Sequence, residues 1–264
     1  MRLAKQELDV GIVASDPKGT VEFYRDVMGL RQLPSAPLAP GLVQHRLHIG
    51  KHLVKINQHD ELPPRQRGGI ERAVGMRLLA FILDDLDAVV QRIADAGRRY
   101  DPLPVNEALP YRVGFTQDPE GNVLELVGLR EPAGRKLATR LQVGLTVADV
   151  ERSRHFYGQV LGLEEEKPMR VGGNVGTRYG FLWGRTTVKF WGLPQAPPPQ
   201  TGAPQLHAGL RLFTSMVEDL DEAHAELVAK DVPIRMKPTA LGDVARILFF
   251  ADPDDNWIEL AQLL

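Results

Sequence analysis

Asp118-Pro119-Glu120-Gly121-Asn122-Val123-Leu124-Glu125-Leu126 returns, 134 positions later, as Asp252-Pro253-Asp254-Asp255-Asn256-Trp257-Ile258-Glu259-Leu260. Each copy opens on turn chemistry: Pro after Asp, then a cluster of Gly, Asp and Asn. Each runs on into a short strand. Alternation sends Leu124 and Leu126 to one face of the first strand and Glu125 to the other, and it does the same with Glu259 in the second. A carboxylate among apolar strand residues is costly to bury unless it meets a partner, a metal or a ligand. Two such strands at matching places predict two cups with an acid in each.

Working outward, the whole chain proves to be duplicated. Phe23-Tyr24 answers Phe156-Tyr157, and Gly29-Leu30 answers Gly162-Leu163, each 133 positions apart. Lys55 answers Lys189, and Gly75-Met76-Arg77-Leu78 answers Gly209-Leu210-Arg211-Leu212, each 134 apart. The period is too long for a solenoid, so the chain reads as module 1 over 1–130, a Pro/Gly and charge-rich linker over 131–140, and module 2 over 141–264. Within each half a βαβββ pattern occurs twice. Leu8–Ala14 alternates as a strand, Asp16 caps a helix with Pro17 at its first position, and that helix stops at Gly29. Short strands follow around 31–33, 42–49 and 52–58, then a polar connector over 60–74. Met76–Leu83, a helix from Leu86 to Gly97, and strands around 113–116 and 123–128 complete the half. The Pro-rich segment 193–204 is the matching connector in the second half and reads as an extended linker.

Composition narrows the function classes. A net charge of −2 over 264 residues, with Lys and Arg scattered, leaves no electrostatic footprint for nucleic acid. No apolar run approaches the ~20 residues needed to cross a bilayer, and the N-terminus lacks the apolar stretch of a signal peptide. Zero cysteines remove disulfides, thiolate catalysis and Cys-ligated metal. A cytoplasmic protein is expected, with a small molecule as partner, no nucleic acid and no membrane; a homodimer stays open.

The motifs resemble the vicinal oxygen chelate superfamily of glyoxalases, extradiol dioxygenases, fosfomycin-modifying enzymes and bleomycin-binding proteins. The resemblance rests on Val13-Ala14-Ser15-Asp16, Glu22-Phe23-Tyr24 and Gly29-Leu30, on Asp84-Asp85-Leu86-Asp87, on Asp118-Pro119 with Asn122 and Glu125, and on their second-half counterparts. It implies an α+β fold of two tandem modules, each a pair of βαβββ units forming a curved eight-stranded cup, with metal ligands on the first and last strand of each unit. Carried over residue by residue, the ligand positions fall on Asp9, Lys55, Leu78 and Glu125 in module 1, and on Gln142, Lys189, Leu212 and Glu259 in module 2. Neither set is the two-His-one-carboxylate triad of extradiol iron chemistry. A divalent metal stays open at Asp9 and Glu125, but the usual ligand positions do not carry the family's set.

Alternation predicts what each cup presents. Module 1 offers Asp9, Gly11, Lys55, Leu78, Ala80 and Glu125; module 2 offers Gln142, Gly144, Thr146, Lys189, Trp191, Leu212, Thr214, Trp257 and Glu259. Gly11 and Gly144 should leave room at the floor. Module 2, with two Trp walls beside a few polar groups, has the more ligand-like mixture. Glu259 and Glu125 are the expected catalytic groups. Gln142, Lys189, Trp191, Trp257, Thr146, Thr214 and Lys55 are the expected substrate contacts. Against this stands a purely structural Lys–Glu ion pair in each cup. His45, His48, His52 and His59 crowd one strand and its turn and read as a solvated strand edge. Arg77 and Arg211 read as structural ion-pair residues. The expected function is a lyase, isomerase or dioxygenase-like enzyme acting on a small oxygenated aromatic or hydrophobic metabolite. The alternative is a metal-free binder that sequesters a drug-like ligand, as the bleomycin-resistance branch does.

Overall fold

The computed structural model describes residues 1–65, 68–107, 109–131, 140–171, 176–193, 197 and 201–264, so the linker expected over 131–140 lies outside the described residues except at its two ends. Four βαβββ units follow one another. Unit 1 has strands β1 (Asp9–Val13), β2 (Arg31–Ala39), β3 (Leu42–Ile49) and β4 (His52–His59) with helix α1 (Pro17–Glu22), which continues as a π-helical turn over Phe23–Val27. Unit 2 has β5 (Gly75–Ile82), α2 (Leu86–Asp95), β6 (Asp101–Pro102), β7 (Tyr111–Gln117) and β8 (Val123–Leu129). Unit 3 has β9 (Arg140–Val147), α3 (Val150–Arg154) with a π-helical extension over His155–Val160, β10 (Glu164–Glu165), β11 (Met169–Val171), β12 (Gly176–Trp183) and β13 (Thr186–Gly192). Unit 4 has β14 (Gly209–Met216), α4 (Leu220–Ala229), β15 (Ile234–Leu241), β16 (Ala245–Ala251) and β17 (Trp257–Leu263).

Each helix begins where the sequence places its cap. Asp16 accepts from the Gly19 N–H, Asp85 from Ala88 and Asp149 from Arg152, each at 3.0 Å. The fold is α+β, in two tandem modules of paired βαβββ units. The pairing of units into sheets, however, crosses the modules. Sheet I runs β15-β16-β17-β14-β1-β4-β3-β2 and joins unit 1 to unit 4. Sheet II runs β10-β12-β13-β9-β5-β8-β7-β6, with β11 on β12, and joins unit 2 to unit 3. The seams are antiparallel, β1 against β14 and β5 against β9. The connectors 60–74 and 193–208 carry the chain from one sheet to the other.

The two faces of each sheet divide the labour as alternation predicts. Val10, Ile12, Val54, Ile56, Phe213, Ile258 and Leu260 in sheet I turn toward the helices, as do Leu79, Phe81, Leu124, Val143, Val188 and Phe190 in sheet II. Together they form one continuous apolar core. The intervening residues line the concave faces.

The turns that decide the fold are tied to the helices in the same way in both halves. Asp118 accepts from the Asn122 N–H (2.8 Å), the Asn122 amide (2.7 Å) and the Tyr24 hydroxyl (2.8 Å). Asp252 accepts from the Asn256 N–H (2.9 Å), its amide (2.8 Å) and the Tyr157 hydroxyl (2.9 Å). Burial raises each carboxyl to about 6 despite these donors. Tyr24 and Tyr157 thus act in the core as the pins of the turns.

One histidine departs from the solvated edge expected of its strand. His52 is buried, because its Nδ1 meets the Leu8 carbonyl (2.7 Å) and its Nε2 accepts from the Leu141 N–H (3.2 Å), which joins the two modules. That pattern fixes the neutral Nδ1–H tautomer, and burial lowers the imidazole below its usual range.

Candidate functional site

Because the units pair across modules, the concave-face residues regroup. On sheet I, Gly11 stands beside Lys55 on one side and Leu212 on the other, and Leu212 stands beside Trp257. In the next row Asp9 faces Thr214, which stands beside Glu259. On sheet II the matching rows are Lys189, Gly144, Leu78 and Val123, then Gln142, Ala80 and Glu125. The two tryptophans expected in one cup therefore fall in different cups. Bulges between Gly11 and Ile12 and between Met76 and Leu78 shift the register. Beyond the bulges Thr214 and Ala80 stand opposite Asp9 and Gln142, and Leu212 and Leu78 stand opposite Gly11 and Gly144. The floor is not roomy at its glycines either. A Cβ on Gly11 would lie 2.6 Å from Leu212 Cγ, and one on Gly144 would lie 2.7 Å from Leu78 Cδ2. Glycine is there so that the facing unit's leucine can lie flat on the strand.

Each cup holds a lysine from one module against a glutamate from the other. In sheet I, Lys55 Nζ donates to Glu259 Oε2 at 2.6 Å and also to the Thr214 hydroxyl, which itself donates to Glu259. Both charged side chains are 10% exposed. In sheet II, Lys189 Nζ donates to Glu125 Oε2.

Above these pairs the cups differ. Over the sheet I pair opens a cavity of about 350 Å³, walled by Trp257, Phe249, Met236, Leu241 and Ile247, with Gln44, Asn57, His59 and Arg235 as its further polar lining. Trp257 and Phe249 meet at a ring separation of 5.6 Å. Ala203, Pro204 and Gln205 of the second connector supply another wall. In sheet II apolar side chains pack over part of the concave face, while the Glu125 side chain stays 19% exposed. Trp191 packs with Leu78 and Ala80, and Ile70 of the first connector packs against them. The Ile70 carbonyl accepts from Thr146 Oγ1 at 2.8 Å, with the Trp191 indole N–H at 3.5 Å. Of the expected catalytic and substrate-contact residues, Lys55, Thr214, Trp257 and Glu259 are thus gathered in one cup. Gln142, Thr146, Lys189, Trp191 and Glu125 belong to the other.

A divalent ion at the family's positions does not fit the donors present. Sheet I offers Asp9, Lys55, Thr214 and Glu259, and an ammonium cannot ligate a cation. Asp9 is already held by Lys5 Nζ (2.5 Å) and the Leu53 N–H (2.7 Å). Sheet II offers Ala80, Lys189, Gln142 and Glu125. Among the described residues no three His, Asp or Glu side chains converge.

The family model of the Glyoxalase/Bleomycin resistance protein/Dioxygenase superfamily matches residues 8–126 and again 139–260. The chain belongs to this superfamily. Glyoxalase I from Zea mays shares the superfamily fold at a TM-score of 0.74 and 20% identity, over 99% of this chain and 92% of that one. A putative dioxygenase from Bacillus subtilis superposes at 0.68 and 14% identity, over 99% and 85%. The uncharacterized protein YaeR of Escherichia coli (strain K12) is 28% identical over 125 residues, spanning 46% of this chain and 95% of its own. No helix among the described residues is long and apolar enough to cross a membrane.

Sequence reasoning missed the mouth of the superfamily cup in sheet I: Arg235, Asp255, Phe249 and the connector wall. A signal was present. Arg235 and Asp255 break the duplication, standing where the first half has Asp101 and Gly121.

Proposed function

We propose that this chain binds a small oxygenated metabolite with an aromatic or otherwise apolar body in the sheet I cavity and acts on it by proton transfer, as a lyase or isomerase. The observation that carries the reading is the Lys55–Thr214–Glu259 network at the floor of an apolar-walled cavity. Glu259 is the base. Thr214 donates to its carboxylate and so fixes its orientation. The Lys55 ammonium supplies a donor to a substrate oxygen on which charge develops when a neighbouring carbon loses its proton. Trp257 and Phe249 hold the body of the molecule against the wall. The Lys189–Glu125 pair, on the concave face where Trp191, Leu78 and Ile70 pack, serves the fold.

The test is to identify by native mass spectrometry the small molecule that the purified chain retains, and then to follow solvent-deuterium incorporation into it by NMR. Exchange that is lost in Glu259→Gln and kept in Glu125→Gln supports the assignment. Full exchange in Glu259→Gln overturns it. The second reading, binding without turnover, is favoured by one feature: the Lys55–Thr214–Glu259 network already satisfies its own members. Retention of the ligand with no exchange in the wild-type chain is the result expected of that reading.

A further inference from the structure

The two halves diverge most tellingly at the mouth of the sheet I cavity. Arg235 at the edge strand β15 lines the cavity, and its guanidinium meets Asp255 at 2.5 Å. The counterpart of Arg235 in unit 2 is Asp101, of opposite charge and paired locally with Arg99. The counterpart of Asp255 is Gly121, whose backbone has φ of +85°; Asp255 keeps that left-handed conformation at +60° without being glycine. Aspartate enters that region more readily than most side chains, and here its carboxylate makes two contacts. Its second oxygen accepts from the Gly202 N–H at 2.8 Å, and Arg211 reaches the Gly202 carbonyl at 3.3 Å. Asp255 therefore clasps two things at once: the rim arginine, and the backbone that leads into the Ala203–Gln205 wall.

The charges of the lining point the same way. Lys55 and Glu259 neutralise each other at the floor, and burial lowers His59 below the usual imidazole range. Among the described lining residues Arg235 is the remaining formal charge, and its partner Asp255 is not one of them. The Arg235 side chain is 41% exposed, against 10% for Lys55, so its ion pair is the more readily exchanged of the two.

From this we infer that Arg235 is the specificity residue of the cavity, and that the ligand is an amphipathic monoanion whose carboxylate or equivalent group takes Arg235 in exchange for Asp255 while its apolar body lies against Trp257. The inference rests on the reading of the sheet I cavity as a ligand site. A planar guanidinium can meet a carboxylate through two parallel donors, which favours an anion of that shape over its neutral isostere. Asp255 is the internal counter-ion that keeps Arg235 and the connector wall in place until the ligand arrives.

The experiment compares 3-phenylpropanoate with 3-phenylpropanamide, read by quenching of Trp257 fluorescence against a Trp257→Phe baseline. The wild-type chain should prefer the carboxylate by about tenfold, the discrimination one charge-assisted contact supplies. Arg235→Gln should bind both probes alike, and Asp255→Asn should bind the carboxylate several-fold tighter because the competing anion is gone. Equal binding of the two probes by the wild-type chain overturns the inference and leaves the cavity reading intact. A preference that survives Arg235→Gln also overturns it, since the anion then goes to Lys55. Failure of both probes to bind the folded chain overturns the inference and the cavity reading together.

Discussion

The two cups of this chain are built on one plan and end in different states. Row for row, Lys55 answers Lys189, Gly11 answers Gly144, Leu212 answers Leu78 and Glu259 answers Glu125. The differences sit beside these. Sheet I has Asn57 where sheet II has Trp191, Trp257 where sheet II has Val123, and Thr214 where sheet II has Ala80. Moving one indole from the β13 position to the β17 position exchanges a concave face packed around Trp191 for one with a cavity above its ion pair. In sheet II, Trp191 packs on Leu78 and Ala80 and meets Ile70, so part of that concave face becomes apolar core beside the ion pair. In sheet I, the smaller Asn57 leaves that space vacant, and the tryptophan stands across it as a wall. A duplicated fold thus keeps a structural copy and a ligand-accessible copy with few substitutions, because the ion pair beneath is the same.

The sharpest way to break this comparison is to neutralise the two glutamates separately. Glu259→Gln should lower turnover of the retained ligand by about 10²–10⁴-fold, the range for a lost general base, whereas Glu125→Gln should leave turnover near wild type. Glu125→Gln should instead lower stability, by up to about 3–5 kcal/mol, since it strands the buried Lys189 charge. Denaturant titration and single-turnover assays on both variants read the two effects. Equal activity losses would mean that both cups work.

The tryptophans offer the next contrast. Trp191→Ala should cost about 3–5 kcal/mol, as expected for emptying a large side chain from packed surroundings. Trp257→Ala, at a cavity wall where only part of the ring is packed, should cost less stability and more ligand affinity. Urea midpoints of the two variants check the order, and a larger shift for Trp257→Ala would reverse the assignment of open and packed cups. The glycines repeat the comparison at smaller scale. Gly11→Ala and Gly144→Ala should each destabilise by about 1–3 kcal/mol through overpacking against Leu212 or Leu78. Gly11→Ala alone should also weaken ligand binding, because Leu212 lines the cavity and must yield into it.

How much of this was legible in the sequence follows from what local patterning encodes. Period-two alternation assigned Asp9, Lys55, Glu125, Gln142, Lys189 and Glu259 to the concave faces, and Asp16 with Pro17 fixed the start of the first helix. Alternation says nothing about which units share a sheet. The placement of both tryptophans in one cup therefore depended on pairing within a module, and sheet I, joining units 1 and 4, separates them. The resemblance carried the ligand positions to Leu78 and Leu212, whereas the seams, each with a one-residue bulge, bring Ala80 and Thr214 opposite Gln142 and Asp9. A bulge leaves no mark in hydrophobic periodicity. His52 looked like an edge residue because its partners, the Leu8 carbonyl and the Leu141 N–H, are backbone groups that no motif announces.

The smallest difference is expected where the halves are alike. Asp118 and Asp252 share three donors, to which Asp252 adds the Asp254 N–H at 2.9 Å, and each is raised from an ordinary value of 3.8 to about 6. A carboxyl raised on folding binds its proton more tightly in the native state. Between about pH 4 and pH 6 the native chain therefore holds protons that the unfolded chain has released, and stability falls as pH rises through that window, flattening above it. Asp118→Asn and Asp252→Asn should each remove one proton from that linkage, reducing the downward slope by up to about 1.4 kcal/mol per pH unit. The two variants should do so about equally, since both carboxyls are fully buried and are raised to the same value by the same cause. Urea unfolding from pH 4 to 7 measures both slopes. If only one variant flattened the curve, the two turns would differ as the cups do, and the functional division would extend through each sheet to the hinges of its units.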